Sequence, residues 1–338
     1  MKSLPIPSFF EPKKVNQFWR VYYQKRAEEA KKWREKYKIS SSQEDKTKII
    51  LLLIDVQNTF CLPDFELFVA GKSGNGAVED NIRLCQFIYR NLANITNIVA
   101  TMDTHTAMQI FHPIFWVDEK GNNPQAGITM ISYEDVKQGR WQVNQNIANN
   151  LNISLQKLEE YVLHYVEKLT ENSKYPLTIW PYHSMLGGIG HALVSSVEEA
   201  LFFHSIVRSS QTQFEIKGNN PLTENYSVLS PEVLEDNKGE NIASKNTRFL
   251  NKLLSYDKII VAGQAKSHCV AWTVEDLLTE IKEKDSNLAK KVYLLEDCTS
   301  PVVIPDVIDF SAQADAAFQR FADAGMQRVR SADDTMFY

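Results

Sequence analysis

Along the chain, short continuous apolar runs alternate with amphipathic stretches. The run 48–54, Lys-Ile-Ile-Leu-Leu-Leu-Ile, shows no polar alternation, as a strand buried on both faces requires. Similar runs lie at 98–102, 259–262 and 292–295, with a weaker one at 213–216 and a candidate last strand at 326–329. Between them, 81–92, 191–204, 270–284 and 312–324 read as helices. Buried-type strands alternating with helices predict an α/β fold: a three-layer, mostly parallel, doubly wound (Rossmann-like) sheet with helices on both faces.

Two segments break that rhythm. Residues 1–46 read as a helical extension, with Val15, Phe18, Tyr22, Trp33 and Tyr37 near one face of a charged helix over 12–38 and Arg26 interrupting the stripe. Such a stripe serves equally to pack the helix on its own domain or to dock it on another subunit. The second use predicts a homo-oligomer. Residues 114–179 interrupt the main domain, 47–338, and are too long for a structureless loop. Leu155, Leu158, Val162, Val166 and Leu169 give this segment a helix of its own, so a folded insertion is expected.

Composition narrows the class. With 338 residues, 43% hydrophobic and 23% charged, the chain can bury a sizeable core without staples. A net charge of -5 leaves no basic surplus for phosphates, so nucleic acid is not an expected partner. No apolar run reaches the ~18 residues of a membrane span, and residues 1–15 lack the apolar centre of an export signal. The four cysteines, Cys61, Cys85, Cys269 and Cys298, follow no framework spacing. Free thiols in a reducing cytoplasm are the expectation.

Candidate chemistry sits where the apolar runs end. Asp55 follows the first, Asp103 the second (with Thr104 and His105 after it) and Lys217 the third. Gly263 ends the fourth and leads through Gln264-Ala265-Lys266-Ser267-His268 to Cys269, where a helix begins. In open parallel sheets the carboxyl ends of strands form the ligand crevice. Singly, these residues read as a helix cap, a solvated lysine and a small buried hydrophobe. Together they bring an acid, an amine and a thiol to one sheet edge, the set nucleophilic catalysis uses. A helix N-terminus also favours the thiolate form of Cys269.

Four motifs then carry a resemblance. They are Leu53-Ile54-Asp55-Val56-Gln57-Asn58-Thr59-Phe60; Asp103-Thr104-His105; Trp180-Pro181-Tyr182-His183 followed by Gly187, Gly188 and Gly190; and Gly263-Gln264-Ala265-Lys266-Ser267-His268-Cys269-Val270. Lys217 lies between the last two, with Pro221, Tyr226 and Ser227 downstream. On these residues the chain resembles the nicotinamidase/isochorismatase superfamily of cysteine hydrolases, over roughly 47–113 and 178–330.

The resemblance implies an enzyme that cleaves a small nicotinamide-like amide to the acid and ammonia through a thioester on Cys269. Asp55, Lys217 and Cys269 would be its triad, with Asp55 taking the thiol proton and Lys217 holding the ionised pair. The oxyanion would rest on the N–H groups of Ala265 and Cys269, with a cis peptide before Ala265. Asp103, His105 and His183 would bind a divalent metal. One carboxylate with two imidazoles suits zinc, with iron or manganese as alternatives. His112 would stand further out, as an additional outer ligand. Phe60, Trp180 and Tyr226 would wall a pocket for the small-molecule amide. The family's habit of associating adds to the expectation of a homo-oligomer.

His268 is a rival base for the thiol, although sequence neighbours seldom aim their side chains at each other. Cys61, Cys85 and Cys298 read as structural, and His164 and His191 as packing or surface residues. Three departures leave the substrate open. Ser184 stands where the family often has Cys, Lys266-Ser267-His268 replaces a more acidic and aromatic run, and the insertion directly follows the first metal motif, where it could cover or reshape the pocket. Maleamate, ureido or carbamoyl amides are alternatives. An isochorismatase-type reaction or a non-catalytic binding module stands further off.

Overall fold

The computed structural model describes residues 3–172, 174–333 and 335–337. Its centre is a six-stranded sheet of β1 (Ile49–Ile54), β2 (Asn97–Asp103), β3 (Gln213–Lys217), β4 (Lys258–Gly263), β5 (Val292–Leu295) and β6 (Gln327–Val329). Every pairing is parallel, and the order is β6-β5-β4-β1-β2-β3. This is the doubly wound order, with its switch point between β1 and β4. All the strands expected from the apolar runs are present.

The apolar strands divide their side chains between two helical layers. Leu51 and Leu53 pack with α2 (Gly76–Arg90) and α4 (Ser195–Arg208) through Phe87, Val197 and Phe203. Ile50 and Leu52 pack with α5 (Thr247–Leu254), α6 (Ala271–Lys284) and α7 (Ser311–Asp323) through Leu253, Leu277 and Phe321. Alternate residues of one strand thus reach opposite faces, the physical reason β1 is apolar at every position.

The N-terminal extension differs from its expected form. Within 12–38 only α1 (Tyr23–Tyr37) and a short turn at Pro12–Lys14 are helical. Ser195 accepts from the Trp19 N–H (3.0 Å) and donates to the Trp19 carbonyl (2.6 Å), which removes both groups from any helical ladder. Phe18 and Tyr22 therefore leave the expected stripe and stand 58% and 65% exposed. Arg26 is the buried centre of the contact and does not interrupt it. It pairs with Glu199 of α4 at 2.5 Å, and its guanidinium lies 3.9 Å over the Phe9 ring. Of the two uses open to this helix, packing on its own domain is the one seen.

Residues 114–179 fold around α3 (Leu155–Glu171). Two short antiparallel pairs, Trp116–Val117 with Gln142–Val143 and Met130–Ile131 with Leu177–Thr178, close the segment. Leu158, Val162, Val166 and Leu169 of the expected stripe form a separate apolar core with Phe115, Trp116 and Ile147. Leu155 lies at its edge, partly buried. Among the described residues no helix is long and apolar enough to cross a membrane.

Candidate active site and metal cluster

The carboxyl ends of β1, β2, β3 and β4 place Asp55, Asp103, Lys217 and Cys269 together. Lys217 pairs with Asp103 in the β2–β3 register, and Ile54 with Gly263 in the β1–β4 register. Gly263 has φ +117°, and a Cβ there would meet the Ile54 carbonyl oxygen at 2.1 Å. Only glycine lets β4 close onto β1 at this point. Asp55 follows β1 with φ +46°, a left-handed conformation uncommon outside glycine and found at strained functional positions.

Lys217 Nζ is the hub. It lies 3.0 Å from Asp55 Oδ2, 2.9 Å from Asp103 Oδ1 and 3.5 Å from Cys269 Sγ, and donates to the Asn225 carbonyl at 2.8 Å. The other Asp55 oxygen accepts from the Thr101 hydroxyl. All of these residues are buried. Burial pushes the Asp55 carboxyl and the Cys269 thiol up, while the neighbouring Lys217 ammonium pulls both back. Burial also opposes the charge on Lys217, but Asp103 and Asp55 keep it protonated far above its usual range. The arrangement can hold one proton between thiol and carboxyl beside a fixed positive charge.

Asp103 Oδ2 faces a second cluster. His105 Nε2 lies 2.8 Å from it and His183 Nε2 3.4 Å. Each histidine directs its Nδ1 at a backbone carbonyl: Gly218 at 2.9 Å for His105 and Pro181 at 2.8 Å for His183. A carbonyl only accepts, so each Nδ1 carries a proton, and in the neutral ring each Nε2 turns a lone pair toward the carboxylate. His105 Nε2 has no aligned hydrogen bond despite its burial. One ligand atom from each of the three residues lies within 4.8 Å of the others. Converging lone pairs of this kind fit a cation, and the outward Nδ1 bonds are what orient metal-binding histidines. His112 stands beside them, 5.9 and 6.0 Å ring to ring from His105 and His183, with its own Nε2 unpartnered.

Motif residues without direct chemistry bring these distant segments together. The Gln57 amide spans both sides, donating to the Asp103 carbonyl and accepting from the Asp103 N–H, each at 2.8 Å. It also donates to the His191 carbonyl at 2.9 Å. His105 exchanges backbone hydrogen bonds with Ser184 and Leu186, which fixes His183 beside it. Gly218 (φ +80°) is required here, since a Cβ would reach 2.6 Å from the His105 ring. His191 and His164 pack on Thr104 Oγ1 (2.8 Å) and the Glu235 carbonyl (3.1 Å), and neither is one of the three clustered residues.

Above Cys269 opens a cavity of about 290 Å³, with Asp103, His183 and Lys217 at its polar end. Phe60, Trp180 and Tyr226 all line it, joined by Phe65, Leu67, Phe68, Val302 and Ile304. Sequence reasoning missed this second apolar group because nothing in its spacing marks it. Ala265 and Cys269 border the same cavity, and the peptide between Gln264 and Ala265 is cis. The Gln264 amide is clamped between Asp80 (2.8 Å) and the Ser300 N–H (3.2 Å), two further residues no motif singled out. His268 directs Nδ1 at Ser267 Oγ (2.8 Å), and among the described residues it is Lys217, not His268, that donates to the thiol sulfur.

The insertion supports the site from behind. Tyr161 of α3 donates to the Leu222 carbonyl (2.7 Å), and the Tyr165 hydroxyl accepts from the Glu224 N–H (3.1 Å). The loop so held presents the Asn225 carbonyl to Lys217 and Tyr226 to the cavity. Tyr175, near the end of the insertion, donates to the Ser267 carbonyl at 2.9 Å. No residue of 114–179 is among the described residues lining the cavity.

No family model matches the chain, and no curated protein does. Among solved structures, it is similar to the Acinetobacter baumanii nicotinamidase/pyrazinamidase, with 18% identity over 86% of this chain and 99% of that one and a TM-score of 0.50. It is also similar to the yeast nicotinamidase bound to nicotinaldehyde (16%, 83% and 99%, TM-score 0.49). The Pyrococcus horikoshii pyrazinamidase in complex with zinc is a third such structure (15%, 84% and 99%, TM-score 0.45). At this identity the likeness shows the fold. It is that of the nicotinamidases, the one expected of an isochorismatase-like hydrolase.

Proposed function

We propose that the chain is a cysteine amidohydrolase that converts a small, neutral, nicotinamide-like amide to the acid and ammonia. The observation that carries this is the Lys217 ammonium, placed within 3.5 Å of both the Asp55 carboxylate and the Cys269 sulfur at the floor of an apolar cavity. Asp55 takes the proton of Cys269, and the sulfur attacks the carboxamide carbon. The N–H groups of Ala265 and Cys269 receive the oxyanion, a contribution of about 3 kcal/mol. Asp55 returns the proton to the departing nitrogen, ammonia leaves, and a thioester remains. Water, deprotonated by Asp55, then releases the acid and restores the thiol. Lys217 keeps the extra negative charge of each step compensated within the buried site.

Asp103, His105 and His183 would hold a divalent cation, zinc by donor preference, with iron or manganese as alternatives. When bound it supplies a Lewis-acidic anchor for a lone pair of the substrate. The cavity favours a neutral substrate. Lys217 is the one Lys or Arg among its described lining residues, and it is already shared by Asp55 and Asp103. Glu66 and Glu224 add two carboxyl groups to the wall, and burial pushes the pKa of Glu224 up to about 7. Amides that carry their own carboxylate, such as maleamates and carbamoyl acids, find no free Lys or Arg among the described lining residues. The free thiols of Cys61, Cys85, Cys269 and Cys298 fit a reducing compartment such as the cytoplasm. Self-association is open to a direct measurement of mass in solution.

The test is ammonia release from nicotinamide, pyrazinamide, maleamate and a carbamoyl amino acid, with and without a chelator and with Cys269→Ala as control. Hydrolysis of the ring amides that is lost in Cys269→Ala supports the proposal. Release from the acids alone overturns the substrate reading, and undiminished release by Cys269→Ala overturns the mechanism.

A further inference from the structure

We infer that His268 determines specificity: its Nε2–H donates to a hydrogen-bond acceptor that the substrate carries apart from its reacting carboxamide. The inference rests on the amidase reading of the same cavity.

The tautomer follows from Ser267. The Val302 N–H donates to Ser267 Oγ at 3.1 Å, and His268 Nδ1 lies 2.8 Å from the same oxygen. A hydroxyl has one proton to give, and no other described acceptor takes it. Ser267 therefore donates to Nδ1, and the ring proton sits on Nε2. Among the described residues Nε2 has no hydrogen-bond partner, yet it is not one of the sealed polar atoms, and His268 lines the cavity. Its N–H opens on the space above Cys269.

The ring is also held still. Tyr175, Phe310, Tyr226 and Trp180 surround it at 4.9, 4.8, 5.5 and 5.9 Å between centroids. Tyr175 secures the Ser267 carbonyl from the insertion side. Burial drives the His268 pKa down to about 3, so the group is a neutral donor and not a proton carrier near pH 7. A donor fixed in direction among these four rings selects for an acceptor at one position of a bound ring.

Matched nicotinamides bearing either a methoxy or an ethyl group at each free ring carbon test this, because the two substituents differ chiefly in the ether oxygen. At one ring position the wild-type protein should favour methoxy over ethyl by about tenfold in kcat/KM, the worth of one neutral hydrogen bond, expressed in KM. The preference should vanish in His268→Phe, survive in part in His268→Gln, which keeps an N–H, and weaken in Ser267→Ala, which frees the tautomer. Ratios near one at every position, or a preference that persists in His268→Phe, would overturn the inference. Calorimetric binding of the same pairs to the Cys269→Ala protein separates the two readings. Turnover with flat ratios leaves the amidase standing and removes the role of His268. Selective binding without turnover by the wild type does the reverse, and no binding at all removes both.

Discussion

Asp103 reaches Lys217 at 2.9 Å through one carboxylate oxygen and turns the other toward His105 and His183, so one side chain joins the candidate metal cluster to the candidate nucleophile site. His183 has no such second duty. His183→Ala should therefore lower metal content while leaving the Lys217–Asp55 pair in place, whereas Asp103→Ala should lower metal content and turnover together. Elemental analysis of protein purified without chelator, with ammonia release from nicotinamide, checks both. Full metal content in Asp103→Ala would remove the cluster from consideration.

Cys269→Ala should reduce turnover by at least about a thousandfold with little change in Tm, since a small thiol is lost and no large core group. Asp55→Asn should cost about a hundredfold or more, because an amide cannot accept the thiol proton. Steady-state ammonia release and thermal unfolding read the two effects separately.

The insertion acts on the site through the loop that carries Asn225 and Tyr226. Tyr165→Phe removes the hydroxyl that accepts from the Glu224 N–H, and leaves a buried donor unpaired. It should cost about 1–3 kcal/mol in stability and raise KM for ring amides. A KM unchanged from wild type would show the loop to be held by its other contacts.

Arg26 and Glu199 form a buried pair between α1 and α4. Arg26→Ala strands the carboxylate and should destabilise by about 3–5 kcal/mol, more than Glu199→Gln paired with Arg26→Met. Denaturant unfolding of the single and double variants measures the difference.

Acid should weaken the fold through His204. Burial depresses its pKa to about 4, and its Nε2–H donates to the Ile95 carbonyl at 2.9 Å. The unfolded chain takes up a proton near pH 6.5 that the folded chain refuses until about pH 4. Stability is thus full above pH 6.5 and falls by up to about 3 kcal/mol as the pH drops to 4. His204→Gln should flatten this acid slope. Some slope will remain, since His268 is depressed in the same direction.

Legibility in the sequence followed locality. β1 is apolar at every position because both its faces are covered, a property of six adjacent residues, so the strand and its buried place were readable directly. Asp55, Asp103, Lys217 and Cys269 each follow an apolar run, so topology alone brought them to one edge. The motif resemblance supplied His183, whose partner His105 lies far away in sequence. The extent of α1 was not readable, because two hydrogen bonds between Ser195 and Trp19 across 176 residues decide where the helix cannot begin. Arg26 looked like a break in a stripe because its partner Glu199 is on another helix.

The sequence by itself determined the parallel sheet, the side chains gathered at its carboxyl edge and the presence of a folded insertion, since these rest on local apolar pattern and on short motifs. The tertiary structure alone decided that the insertion braces the site and does not roof it. It also decided that Phe65, Phe68 and Ile304 complete the cavity and that Ser267 Oγ meets both the Val302 N–H and His268 Nδ1. Those outcomes depend on where a side chain meets groups tens of residues away, and contact at that range leaves no periodic mark in the chain.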